Sequence, residues 1–89
     1  MDNVLHLVLK HHWFDLIISG KKTSEYRECS EYWNKRLTNK QYNAVVFHKG
    51  YTNTTVTYKI SSVAITTKPN DLGTDKCWEI KLDKQIYID

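Results

Sequence analysis

Three charged side chains, Lys22, Glu25 and Arg27, follow Gly20 closely in the segment GKKTSEYR. The planar guanidinium of an arginine can hold a phosphate or the edge of a base, and a lysine ammonium offers a point charge to phosphate. A glutamate beside them can accept a proton or a base amino group. These residue types predict a cleft that binds RNA or a nucleotide. The alternative is a solvated ion cluster worth about 0 to 1 kcal/mol per pair.

A helix followed at once by a strand must position these side chains. Residues 11–19 place apolar side chains at helical spacing, and Gly20 directly after them is a usual helix stop, because glycine tolerates a left-handed conformation. From Thr23 the pattern changes to period two, which puts Thr23, Glu25 and Arg27 on one face of a strand. The glycine therefore allows a sharp turn from the helix into the charged strand.

The rest of the chain is rich in predicted strands joined by short turns. Ser30 is positioned to cap a second helix, and the LVL run of the first strand indicates burial on both faces. The predicted strands cover residues 4–10, 23–28, 44–48, 54–60, 62–67 and 77–82, the helices cover 11–19 and 31–37, and a tail at 85–88 adds to an edge. This order predicts one α+β domain over residues 1–89, a partly closed β-barrel of five to six strands with two short helices.

The composition, with 40% hydrophobic and 26% charged residues, is that of an average globular domain. A net charge of +3 favours an anionic ligand but is common among proteins that bind none. The sequence shows neither a signal peptide nor a long apolar run, which predicts a cytoplasmic protein without a membrane partner.

Cys29 and Cys77 lie outside any CxxC pattern and predict two free thiols. The adjacent His11 and His12 diverge on a helix, so we expect no metal site and no cofactor.

The motif GxKxxExR, formed by Gly20, Lys22, Glu25 and Arg27 between a helix and a strand, resembles the signature of the ASCH (activating signal cointegrator homology) domain family. The segment HLVLKHHWFDLIISGKKTSEYR is similar to the family's opening strand, helix and motif, and VTYKISSVAI and WEIKL are similar to its later strands. The resemblance implies a PUA-like barrel with the motif side chains at a cleft. It also implies binding of RNA or a nucleotide, with a modified or flipped-out base as one class of ligand.

The same resemblance implies a hydrolytic alternative, because one small bacterial relative is an acetylcytidine amidohydrolase and another member is a ribonuclease. In that mechanism Lys22 is the general base on water, its amine made neutral by desolvation and by Arg27, and Glu25 passes a proton to the leaving group. Two departures weigh against it. The amidohydrolase has a catalytic threonine at the position of Glu25. Its further catalytic glutamate lies on a helical insertion, for which residues 68–76 have neither the length nor a glutamate.

Four further residues outside the motif are candidate ligand contacts. Trp33 lies beside basic residues on the second predicted helix, and single-stranded nucleic acids are bound by aromatic and basic side chains together. Packing of Trp33 against the barrel is an equal alternative. His48, Lys49 and Tyr51 occupy a predicted hairpin that forms either a wall of the cleft or a solvated turn. Tyr26 alternates to the opposite face of its strand, where we expect it to pack in the core or at an edge.

Three functions therefore stay open at the level of the sequence. The first is a small RNA- or nucleotide-binding module whose cleft is built on Lys22, Glu25 and Arg27. The second is a hydrolase acting on RNA or a modified nucleoside with the same residues. The third is a protein-interaction module of a mobile element, in which the cleft is a relic.

Overall fold

The computed structural model describes residues 3–87 and confirms an α+β fold with five strands and two short helices. The elements in chain order are β1 (Val4–Leu9), α1 (His11–Ile18), β2 (Ser24–Glu28), α2 (Glu31–Leu37), β3 (Ala44–Lys49), β4 (Thr55–Thr66) and β5 (Cys77–Ile86). Neither helix is long and apolar enough to cross a membrane.

The five strands form one sheet in the order β1-β3-β4-β5-β2, which curls into a half-barrel. β1 runs parallel to β3, and the other neighbouring pairs are antiparallel. In the described part of the chain, β1 and β2 each have a strand neighbour on one side only. The two edges therefore leave an open seam in the barrel wall, and β2, which carries the motif, forms one side of it.

β1 buries one face rather than the two that its sequence indicated. Leu5, Leu7 and Leu9 point into the core, whereas Val8 is 47% exposed on the other face. The expectation of two buried faces was wrong because no element covers the outer side of this edge strand completely. Its LVL run reflects an alternation in which even the outward position is apolar.

β4 merges two of the predicted strands into one long strand. Its pairing with β5 shifts register between Tyr58 and Ile60 and again between Ile60 and Ser62. Such bulges bend a strand and increase its twist, which lets β4 follow the curvature of the barrel without ending. The predicted tail is also part of a strand, since β5 continues to Ile86 and pairs there with Thr57, while the last predicted tail residue, 88, lies outside the described residues.

The core is filled by the inward side chains of the sheet and by both helices. From α1, Phe14 and Ile17 are buried against β1 and β3, and from α2, Leu37 is buried. The hydroxyl of Tyr58 donates to the carbonyl of Ile17, 3.3 Å away, which ties the end of α1 to the sheet. The helix ends there because Gly20 adopts a φ of +81°, as the sequence predicted.

Local predictions outside the motif are also confirmed. The Ser30 hydroxyl accepts a hydrogen bond from the backbone N–H of Trp33 and caps α2. Cys29 and Cys77 are free thiols, and Cys77 is fully buried. Burial, reinforced by the neighbouring Cys29, raises the pKa of the Cys77 thiol, so it packs as a small apolar group.

Core packing predicts that replacement by alanine destabilises the protein very differently at two isoleucines on neighbouring strands. Ile80 is fully buried in β5, whereas Ile65 in β4 is 45% exposed. Ile80→Ala should lower the free energy of unfolding by about 2 to 5 kcal/mol, because it leaves a cavity in the core. Ile65→Ala should lower it by about 1 kcal/mol or less.

Urea denaturation followed by tryptophan fluorescence measures both values. If Ile80→Ala does not fold, Ile80→Val, with an expected loss of about 0.5 to 1.5 kcal/mol, supplies the comparison. Equal losses from the two alanine variants would contradict the described core.

Candidate functional site

A cleft of about 270 Å³ opens at the seam between β1 and β2. Its walls come from both edge strands, from the two helices and from the connection between β4 and β5. The lining residues are Val8, Leu9, Lys10, Trp13, Glu25, Tyr26, Arg27, Glu28, Trp33, Asp71 and Leu72. The cleft is therefore assembled from segments that are distant in sequence, with the motif on one wall.

Glu25 is the centre of the charged network in this cleft. It is only 6% exposed, and its two carboxylate oxygens pair with different cations. Oε1 lies 3.3 Å from Lys22 Nζ, and Oε2 accepts a hydrogen bond of 2.7 Å from the Arg27 guanidinium. The prediction that Glu25 and Arg27 share a strand face is confirmed, and the two side chains pair there. One buried carboxylate thus fixes both basic side chains of the motif.

Asp71 adds a second carboxylate that the sequence analysis missed. Lys22 Nζ donates to Asp71 Oδ2, so the ammonium lies between two carboxylates. Asn70 holds this turn, because its Oδ1 accepts from the backbone N–H of Leu72 at 3.0 Å and its amide donates to the carbonyl of Thr74 at 2.9 Å. The connection 68–76 does lack a glutamate, as expected, but it places an aspartate in the cleft.

Two aromatic rings surround the same ammonium. Lys22 Nζ lies 5.2 Å from the ring centre of Trp13 and 5.0 Å from that of Tyr26. Both distances suit an attraction between a cation and the face of a ring. Trp13 is half-buried: it packs against the core and also forms part of the cleft wall.

Tyr26 also lines the cleft, although it alternates to the face opposite Glu25. β2 is an edge strand, so side chains from both of its faces can reach the seam. The Tyr26 hydroxyl lies 3.5 Å from the Glu79 carboxylate. Burial, followed by the negative charges of Glu79 and Asp71, raises the pKa of Tyr26, so the phenol keeps its proton.

Arg27 spans the seam between the two edge strands. Its guanidinium donates to the carbonyl of Val8 in β1, 3.4 Å away, and its central carbon lies 5.1 Å from the ring centre of Trp33 in α2. In the described part of the chain, the buried Nε of Arg27 has no hydrogen-bond partner. A buried donor without a partner is costly. The cleft therefore offers a ligand a planar cation, 21% exposed, and an adjacent indole.

The cleft carries no excess of positive charge. Its lining has two cations, Lys10 and Arg27, and three carboxylates, Glu25, Glu28 and Asp71, while the ammonium of Lys22 is paired with Glu25 and Asp71. Such a cleft with polar edges suits an uncharged group with hydrogen-bonding atoms better than it suits a phosphate. The sequence predicted phosphate as the partner of Lys22 and either a phosphate or a base edge as the partner of Arg27, and the charge of the cleft favours the base edge.

Thr23 does not line the cleft. It precedes β2 and is exposed, and its carbonyl accepts a hydrogen bond from the backbone N–H of Leu82, 3.1 Å away. The predicted alternation placed Thr23 on the face of Glu25 and Arg27, but the regular strand begins only at Ser24. Its role is at the start of the pairing between β2 and β5.

The predicted hairpin residues also lie away from the cleft. His48 Nε2 lies 3.1 Å from Nδ1 of His6, Lys49 Nζ pairs with Asp15 of α1 at 3.1 Å, and Tyr51 is 99% exposed. The hairpin cannot form a wall of the cleft because it is held against the end of β1 and the start of α1, where the N–H of residue 50 donates to the carbonyl of residue 9.

Among residues 3–87, no group of three or more histidine, cysteine or acidic side chains is arranged to hold a metal ion. Comparisons with protein-family models and with curated proteins give no match to this chain. The chemistry of the cleft residues is therefore the basis for assigning a function.

The buried pairing of Glu25 predicts a marked effect of its removal. Glu25→Ala removes the carboxylate that both Lys22 and Arg27 contact. Breaking a buried ion pair in this way should lower the free energy of unfolding by about 3 to 5 kcal/mol. Glu28→Ala is the matched control, because Glu28 is exposed at the end of the same strand. Glu28→Ala should change the free energy of unfolding by about 0.5 kcal/mol or less. Chemical denaturation of both variants measures the difference, and similar values for the two would refute the central role of Glu25.

Proposed function

We propose that this chain is a small RNA-binding module of the ASCH type, whose cleft receives a single base flipped out of its strand. The observation that carries the proposal is the seam itself. Arg27 lies there against Trp33, and its guanidinium-bearing side chain is 21% exposed to the seam. A flat ligand with hydrogen-bonding edges fits this pair of side chains, because its face can contact the aromatic ring and its edge can accept a hydrogen bond from the guanidinium.

The size and polarity of the cleft support a base as the ligand. Ligand pockets typically measure about 300 to 1,000 Å³, and a cleft of about 270 Å³, just below that range, suits a small group such as a single base. Sequence-specific RNA recognition commonly uses unstacked bases that lie on aromatic side chains and are hydrogen-bonded along their edges. The lack of excess positive charge in the cleft agrees with an uncharged base more than with a free phosphate.

The spacing of the motif has a physical reason in this geometry, which supports the ASCH assignment. Glu25 and Arg27 leave the same face of β2 and pair directly. Lys22 reaches the other oxygen of the same carboxylate from the turn before the strand. Each fixed position of GxKxxExR thus contributes to one preorganised network, with Gly20 providing the turn.

Asp71 is the observation that favours a hydrolytic alternative. It brings a carboxylate from the connection between β4 and β5 to Lys22, although a glutamate is absent there. A carboxylate at this place can take the proton of a water that attacks an acyl carbon, and pass it to the leaving nitrogen. Against this, the Lys22 ammonium is already paired with both neighbouring carboxylates. Binding is the simpler function of such a network.

Arg27 is the residue whose replacement tests the binding function. Arg27→Ala should weaken the binding of short single-stranded RNA at least tenfold, because base stacking and bidentate contacts are each worth about 1 to 3 kcal/mol. Arg27→Lys should also bind weakly, since it keeps the charge but loses the planar fork. Fluorescence anisotropy with a labelled RNA panel measures the affinities.

Lys59→Ala is the control for this experiment, because Lys59 is exposed on β4 and lines no part of the cleft. Circular dichroism establishes that each variant is folded. Unchanged affinity in folded Arg27→Ala and Arg27→Lys would exclude the cleft as the RNA site.

The alternative predicts turnover that the binding module lacks. We expect no product when the protein is incubated with acylated nucleosides and short RNAs and the mixture is analysed by liquid chromatography. A product that disappears in both Lys22→Ala and Asp71→Asn would replace the binding proposal by a hydrolase that uses these two residues.

A further inference from the structure

A second surface, along α2, continues from the cleft. Trp33 lines the cleft and also a neighbouring depression that contains Tyr32 and Arg36. That depression in turn shares Tyr32, Arg36 and Tyr42 with a larger one that also includes Lys35 and Lys40. We call this continuous surface the α2 groove, defined by Tyr32, Lys35, Arg36, Lys40 and Tyr42.

The charge of the α2 groove differs from that of the cleft. Lys35, Arg36 and Lys40 give it three positive charges, and within residues 3–87 no aspartate or glutamate lines it. The lining of the cleft, by contrast, carries two positive and three negative charges. A ligand with a neutral part and an anionic part would therefore divide between the two, with its anionic part on α2.

The α2 groove also holds a second pair of an arginine and an aromatic ring. Tyr32 is 56% exposed, and the guanidinium carbon of Arg36 lies 4.2 Å from its ring centre. Arg27 pairs in the same way with Trp33, the residue of α2 that follows Tyr32. Alternating aromatic and cationic groups of this kind bind single strands, in which bases stack on rings and phosphates contact the cations.

The orientation of the two rings limits how a strand can lie on them. Tyr32 and Trp33 meet edge to face, with ring centres 4.9 Å apart and planes at 85°. Two bases that each lie on one of these rings cannot stack on one another. The surface thus matches a strand with splayed bases and excludes a regularly stacked one.

We propose that the ligand is a single strand of RNA that extends from the cleft into the α2 groove, rather than a free nucleoside or nucleotide. One base occupies the cleft, the phosphates beside it contact Arg36 and Lys40, and the adjacent base lies on Tyr32. This inference rests on the proposed function and adds to it the class of ligand and the path of its backbone.

The test compares a double variant of the groove, Arg36→Ala/Lys40→Ala, with a charge-matched control, Lys59→Ala/Lys84→Ala. The control lysines are exposed on β4 and β5 and line neither surface. The backbone carbonyl of Arg36, which accepts from the Tyr42 hydroxyl at 2.7 Å, is retained in the alanine variant. Anisotropy with a labelled eight-nucleotide RNA is measured between 50 and 300 mM salt (roughly the range over which phosphate contacts are weakened).

We expect the groove variant to bind at least tenfold more weakly than the wild type at low salt. Its plot of log affinity against log salt should be less steep by about 1.4, because each phosphate contact on a single strand contributes about 0.7. The control should lose less affinity than the groove variant and keep the wild-type slope. A nucleoside monophosphate should compete with the RNA only weakly.

The possible outcomes separate this inference from the proposed function. If the groove variant behaves like the control while Arg27→Ala loses affinity, the path along α2 is wrong and the cleft proposal stands. If the groove variant loses affinity while Arg27→Ala does not, RNA binds on α2 and the cleft proposal fails. Equal affinity for the strand and the monophosphate overturns the strand as ligand, and absence of RNA binding by the wild type overturns both.

Discussion

The buried carboxylate of Glu25 determines the arrangement of every charged group around it. A carboxylate that has lost its water must be compensated by cations and hydrogen bonds. Lys22 and Arg27 provide the compensation from opposite sides, and each is in turn held by further groups, Asp71 for the lysine and Trp33 for the arginine. The cleft is therefore built before any ligand arrives, which lowers the entropic cost of binding.

The open seam is the second constraint. It explains why this charged network lies at an opening in the barrel wall and not inside the apolar core. Because β1 and β2 do not pair, a backbone ladder does not close the barrel there. The Arg27 side chain makes the connection instead, through the carbonyl of Val8. A side-chain bridge leaves space that a strand pair would fill. The same feature thus limits the regularity of the fold and creates the cleft between its two edge strands.

Local sequence signals predicted local structure well. The period-two pattern gave the shared face of Glu25 and Arg27, and the glycine gave the end of α1, because both depend on a few adjacent residues. Asp71 was not predictable, since its position depends on how a distant connection folds over β2. The placement of His48 and Lys49 failed for the same reason, as their partners His6 and Asp15 belong to other elements. The union of two predicted strands in β4 depended on bulges whose register is set across the sheet.

The pairing of β2 with β5 also has a consequence for protein synthesis. The ion pair of Lys22 with Asp71 joins residues 49 positions apart, and β2 has its strand partner in β5, the last of the described strands along the chain. On the ribosome the motif therefore emerges long before β5, with its carboxylate and cations still solvated. Contacts of such long range form late. A nascent chain that lacks β5 does not yet possess the cleft, so whatever the cleft binds can be recognised only after β5 has been synthesised and has paired with β2.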